Sequence, residues 1–114
     1  MDTTALRHIA FELPQVTEEP HFEKTSFKVA GKIFATMVPN ANRATVKLSP
    51  ADQDIFCLGD KTVVYPVPNK WGKQGWTHIN LEAVQQKMLT ELIKVAYCEV
   101  APKALAAQVK FDEE

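Results

Sequence analysis

The last third of the chain carries an apolar stripe too broad to stand alone. Leu81, Val84, Met88, Leu92 and Ala96 recur at helical spacing, and Leu89, Ile93, Tyr97 and Val100 widen the same side. A helix with that much apolar surface has to lie across another layer, and the strand patterns upstream make that layer a sheet. Asn80 is placed to cap this helix, with Glu82 in its first turn. Pro102 ends it or opens a short last helix from Lys103 to Val109.

At the other end of the chain Asp2 is a helix cap, and Leu6, Ile9, Ala10 and Leu13 form one apolar stripe that stops near Pro14. Beta structure follows. Ser26 to Val29 alternate, Ala30-Gly31 reads as a tight turn, and Lys32 to Val38 are apolar on both faces, as in a central strand. Pro39 to Asn42 make a turn, and Ala44, Val46 and Leu48 alternate in a third strand of an antiparallel meander. Glu18 to His21 are read as a short edge piece. Ser49-Pro50-Ala51-Asp52 has the composition of a helix start, and Gly59 that of its stop. Two more strands, Thr62 to Tyr65 and Trp76 to Asn80, complete the pattern. The order α-β-β-β-α-β-β-α predicts an α+β two-layer sandwich, an antiparallel sheet of about five strands with helices on one face.

Between those last two strands lies Pro66-Val67-Pro68-Asn69-Lys70-Trp71-Gly72-Lys73-Gln74-Gly75-Trp76, which holds both tryptophans of the chain. Its prolines fix φ and its glycines free it, so it is expected as a shaped loop, neither helix nor regular strand. Trp71, flanked by Lys70 and Lys73, is the candidate exposed platform. Trp76, leading into a strand, is the candidate core plug.

The chain has 114 residues, is 46% hydrophobic and 24% charged, and is read as one domain over residues 1–114. Its first residues carry no basic stretch followed by an apolar run, so no signal peptide is expected. No apolar segment approaches the about 20 residues of a membrane helix. Cys57 and Cys98 are isolated, without CxxC spacing, and the chain is read as cytoplasmic with both thiols reduced. The net charge of −1 is unevenly spread, with eight basic residues against three acids between Lys24 and Lys73, a net of +5. A basic middle on a neutral whole suits solvated strands with outward lysines first, and a local anion-binding surface second.

Taken in order, several motifs resemble the MmcQ/YjbR family of small bacterial proteins. They are Leu13-Pro14-Gln15-Val16-Thr17-Glu18-Glu19 leading into Phe22, Phe27, Val29, Gly31-Lys32 and Phe34-Ala35. Trp71-Gly72 with Gly75-Trp76 come next, and Tyr97 with Ala101-Pro102-Lys103 last. The resemblance spans nearly the whole chain. It implies an α+β fold similar to secretion chaperones, and a DNA-binding role through the sheet and its loops. It supplies no active site.

The residues offer little chemistry of their own. Glu18, Glu19, His21 and Glu23 form an acidic segment without metal-site spacing, Cys57 beside Phe56 and Leu58 reads as a small core residue, and His78 reads as an ordinary sheet histidine. No GxxxxGK loop is present. The expectation is a non-catalytic binding module with no catalytic residues, metal or cofactor. Nucleic acid is the first candidate ligand, held by Lys28, Lys32, Arg43, Lys47, Lys70, Trp71 and Lys73, with Lys28 and Lys32 brought together by their hairpin. A protein or small-ligand module, using the open sheet face and the Trp71/Trp76 loop, is the alternative.

Overall fold

Asp2 opens the first helix, α1 (Thr3–Phe11), by accepting a hydrogen bond from the Ala5 amide at 2.9 Å. In the computed structural model, which describes residues 1–111, α1 buries Leu6, Ile9 and Ala10 beneath the long C-terminal helix. Four strands follow as an antiparallel meander: β1 (Thr17–His21), β2 (Lys24–Val29), β3 (Lys32–Val38) and β4 (Arg43–Lys47). The chain then leaves the sheet as α2 (Pro50–Phe56), capped by the Ser49 hydroxyl accepting from the Asp52 amide at 3.1 Å. It returns as β5 (Val64–Pro66), passes through a helical turn α3 (Lys70–Lys73), and inserts β6 (Trp76–Asn80) beside β4. The sheet order is β1-β2-β3-β4-β6-β5. Helices α4 (Gln86–Val100) and α5 (Lys103–Ala106) complete the layer.

The sheet therefore has six strands where about five were expected. Thr17–His21 is a full strand, each residue paired with β2, although its sequence lacks alternation and includes Pro20. An edge strand tolerates both, because one side needs no ladder partner. The β2–β3 hairpin closes through Ala30 and Gly31, both left-handed (φ 52 and 79), the geometry that matches the natural twist of paired strands.

Helix α4 starts at Gln86, later than the expected cap at Asn80. The Asn80 carboxamide oxygen does accept from the Glu82 amide, at 3.1 Å, but it closes a turn rather than a helix. Leu81 and Val84 are buried in that turn, so apolar spacing continued through a stretch that is not helical. The phase shifts accordingly. Leu89, Leu92, Ile93, Ala96 and Tyr97 face the core, while Met88, expected in the stripe, is 38% exposed. Helix α5 also ends early, and the amides of Gln108 and Val109 bond back three residues instead of continuing it to Val109.

Strand register sets the two faces. Phe27, Ala35, Val46 and Thr77 align in one row, and Met37, Ala44, Ile79 and Val64 in the next. These are the buried faces of their strands, covered by α4 and α1. Phe34 and Tyr97 meet edge to face at 5.5 Å between ring centres. Among the described residues no helix is long and apolar enough to cross a membrane.

Candidate functional site

Among the described residues the other face of the sheet carries no helix, and its composition is unlike the core's. Alternation turns Lys24, Ser26 and Lys28 of β2 and Arg43, Thr45 and Lys47 of β4 to this side, with Trp76, His78 and Asn80 of β6. Register aligns Glu19, Ser26, Thr36, Thr45, His78 and Tyr65 in one continuous row across all the strands. The face is thus a band of hydroxyls and one imidazole between basic side chains.

Its polar groups are incompletely paired. Lys28 reaches Glu19 at 3.3 Å. Lys47 is held by two backbone carbonyls, Leu48 at 3.0 Å and Gln74 at 2.8 Å, which ties the tryptophan loop to β4. His78 Nδ1 lies 2.8 Å from the Thr45 hydroxyl, and the Tyr65 ring meets the imidazole edge to face at 5.5 Å. Ser26 is 1% exposed, yet its hydroxyl, like the buried Nε of Arg43, has no hydrogen-bond partner among the described residues. Burial and then the charges of Arg43 and Lys24 hold the His78 imidazole at about 4, against an ordinary 6.5. Burial disfavours the charged ring, and two cations repel its proton. An imidazole so depressed is neutral at physiological pH.

The expected binding residues divide into groups. Lys28, Arg43 and Lys47 share the open face. Lys32 does not, because the two-residue turn pairs Lys28 with Ile33 and Lys32 with Val29, and neighbours along a strand point to opposite faces. The expected Lys28–Lys32 grip is therefore not formed. Lys70, Trp71 and Lys73 sit on α3 at the end of the sheet. Trp71 is 50% exposed, as expected, with the Lys70 ammonium 5.8 Å from its ring centre. The loop itself is not free of helix: Asn69 caps the α3 turn by accepting from the Trp71 amide at 2.9 Å. Buried Gln53 of α2 clamps it from the helix side, donating to the carbonyls of Gly72 at 2.8 Å and Trp76 at 3.1 Å.

Trp76 is not a core plug. Thr77 and Ile79 take the buried side of β6, so Trp76 falls on the open face, half-buried and opposite Lys47. Lys24, Ser26, Thr45 and Tyr65 were missed as site residues. Their alternation is visible in the sequence, but the row that joins them across strands is not.

The other reactive groups are engaged structurally. Arg7 holds Glu18 through two bonds, 2.8 and 3.0 Å. Cys57 is 7% exposed, and burial pushes its thiol above the ordinary range.

A family model described as YjbR matches residues 11–99. No curated protein sequence matches the chain. Among solved structures, the chain is similar to the crystal structure of Deinococcus radiodurans protein DR2400, a DUF419 domain. The TM-score is 0.78 at 22% identity, over 97% of this chain and 89% of that one. At that identity the likeness concerns the fold.

Proposed function

The chain belongs to the YjbR family, and on that premise we propose a non-catalytic binding module whose uncovered sheet face takes nucleic acid. The observation that carries this reading is the gathering of Lys24, Lys28 and Arg43 on one uncovered face, where Glu19 is the one carboxylate in the hydroxyl row. Cations arrayed on a strand surface attract a phosphate backbone, and hydroxyls beside them donate to its oxygens. Trp71 and Trp76 supply flat rings, on which bases stack without sequence preference, at the Lys47 end of the sheet, opposite the end with Lys24 and Arg43. The pairing of Thr45 with His78 looks like a nucleophile with its base, but an imidazole held at about 4 is too weak a base for that work at neutral pH.

The test is binding of a labelled single-stranded oligonucleotide across a salt series. Three phosphate contacts give a log–log salt slope of about −2. Lys24→Gln and Arg43→Gln each weaken binding, Trp71→Ala weakens it by about 1–3 kcal/mol, and Lys32→Gln on the opposite face leaves it unchanged. Absence of salt-dependent binding, or equal losses from Lys32→Gln and Lys24→Gln, overturns the reading.

A second reading rests on a cleft of about 570 Å³ between α2, β5 and the start of α4. Ile55 and Met88 line it and stand 64% and 38% exposed. An apolar ligand or partner segment fits that surface, and its binding would persist at high salt.

A further inference from the structure

We infer that the open face holds one discrete phosphate site, lying over β3 and walled by Lys24 and Ser26 on one side and by Arg43 on the other. It locates the phosphate position within the nucleic-acid reading and rests on that reading for the natural ligand. Three independent features converge there. Ser26 buries a hydroxyl that bonds to nothing among the described residues, and such groups are rare because a buried unpaired donor is costly. Arg43 buries an Nε that is likewise unmatched. Neither Arg43 nor Lys24 forms an ion pair among the described residues, where the pairs are Arg7–Glu18 and Lys28–Glu19. Unanswered donors and unanswered positive charge thus meet on one patch.

The dimensions suit a tetrahedral oxyanion. Thr25 pairs with Met37 and Val38 with Arg43, so Lys24 and Arg43 stand two strand spacings apart across Val38, about 10 Å, with Ser26 one same-face step along β2 from Lys24. A phosphate with a charge-assisted hydrogen bond on each side spans about 8 Å. Thr36, opposite Ser26 on β3, adds a hydroxyl at that end of the floor. A guanidinium, an ammonium and hydroxyls together match an anion with several acceptor oxygens.

His78 stands one strand beyond Thr45 and reports on the site. The groups facing it are Arg43 of β4 and Lys24 of β2, whose charges depress it, with Thr45 and the Tyr65 ring as neutral neighbours. A phosphate seated between Lys24 and Arg43 neutralises the field that repels the imidazolium. Its titration midpoint should therefore rise from about 4, while burial, the larger cause, still holds it below the ordinary 6.5.

The experiment follows the imidazole resonances by NMR during pH titration, in inorganic phosphate and in chloride of equal ionic strength. Phosphate should raise the His78 midpoint above its value in chloride. Ser26→Ala should fold as well as the parent, because that hydroxyl bonds to nothing among the described residues, and should weaken phosphate about tenfold. Arg43→Gln should abolish the response. No difference from chloride, or a response untouched by both variants, overturns the site. A single-stranded oligonucleotide that shifts His78 alike and competes with phosphate assigns the site to a phosphodiester. Phosphate acting where the oligonucleotide does not bind keeps the site for a free phosphate group and sinks the nucleic-acid reading. An oligonucleotide that binds while His78 stays unmoved sinks the site and keeps that reading.

Discussion

The Tyr97 hydroxyl donates to the Pro14 carbonyl at 2.6 Å, joining residues 83 positions apart. Tyr97 is the largest fully buried side chain, and its ring also packs against Phe34 of β3. One side chain thus connects α4, the sheet and the segment that leads from α1 into β1. Tyr97→Phe keeps the ring and removes the donor, leaving the Pro14 carbonyl without its partner. The expected loss is about 1–2 kcal/mol in urea denaturation, with little change in the slope against denaturant. An unchanged midpoint would mean that water serves the carbonyl equally well.

Gly75 has φ 108, and a Cβ built there would sit 1.8 Å from the Leu48 carbonyl oxygen. That same approach lets the Leu48 amide donate to the Gly75 carbonyl at 3.0 Å, which seats the tryptophan loop against the end of β4. Gly75→Ala must therefore displace backbone, and a loss of at least about 3 kcal/mol is expected. Gly31 is the control, with φ 79 and nothing within 4 Å of a built Cβ. Its alanine variant meets only the left-handed penalty, about 1–2 kcal/mol. Similar losses at both positions would show that the loop yields where the structure holds it tightly.

His78 makes stability depend on pH in a definite direction. Its folded midpoint near 4 lies below the ordinary 6.5, so between those values the unfolded chain binds the extra proton. Stability from this group is complete above about 6.5 and is lost as pH falls toward 4. Solvent screens a half-buried ring, so the contribution is about 1–2 kcal/mol rather than the full-burial figure. It appears as the difference between the parent and His78→Gln in denaturation curves across that window. Parallel curves from pH 7 to pH 4 would refute it.

Local patterns carried much of this fold. Asp2 and Ser49 were legible as helix caps, and each accepts from a nearby amide, because capping depends on neighbours a few positions away. Asn80 instead closes a turn ahead of the helix it was expected to cap. Alternation in β2, β4 and β6 marked which side chains face the core, and a two-residue turn at Ala30-Gly31 followed from composition. The failures share one cause. Met88 kept helical spacing with Leu81 and Val84 across a turn that breaks the helical phase, and apolar spacing alone does not record such a break. Trp76 looked like a plug because it leads into a strand, yet its parity on β6 put it opposite Lys47 on the uncovered face.

By itself, then, the sequence determined most element types and the polarity of the alternating strands β2 and β4, since these depend on interactions within a few residues. Tertiary structure alone decided that β6 inserts between β4 and β5. That insertion is what aligns Thr45, His78 and Tyr65 in a row with Ser26 and brings the charges of Arg43 and Lys24 to bear on one imidazole. Strand order and register are long-range choices, made when the whole sheet packs against α4 and α1, and no local pattern in β2, β4 or β6 encodes which of them will be neighbours.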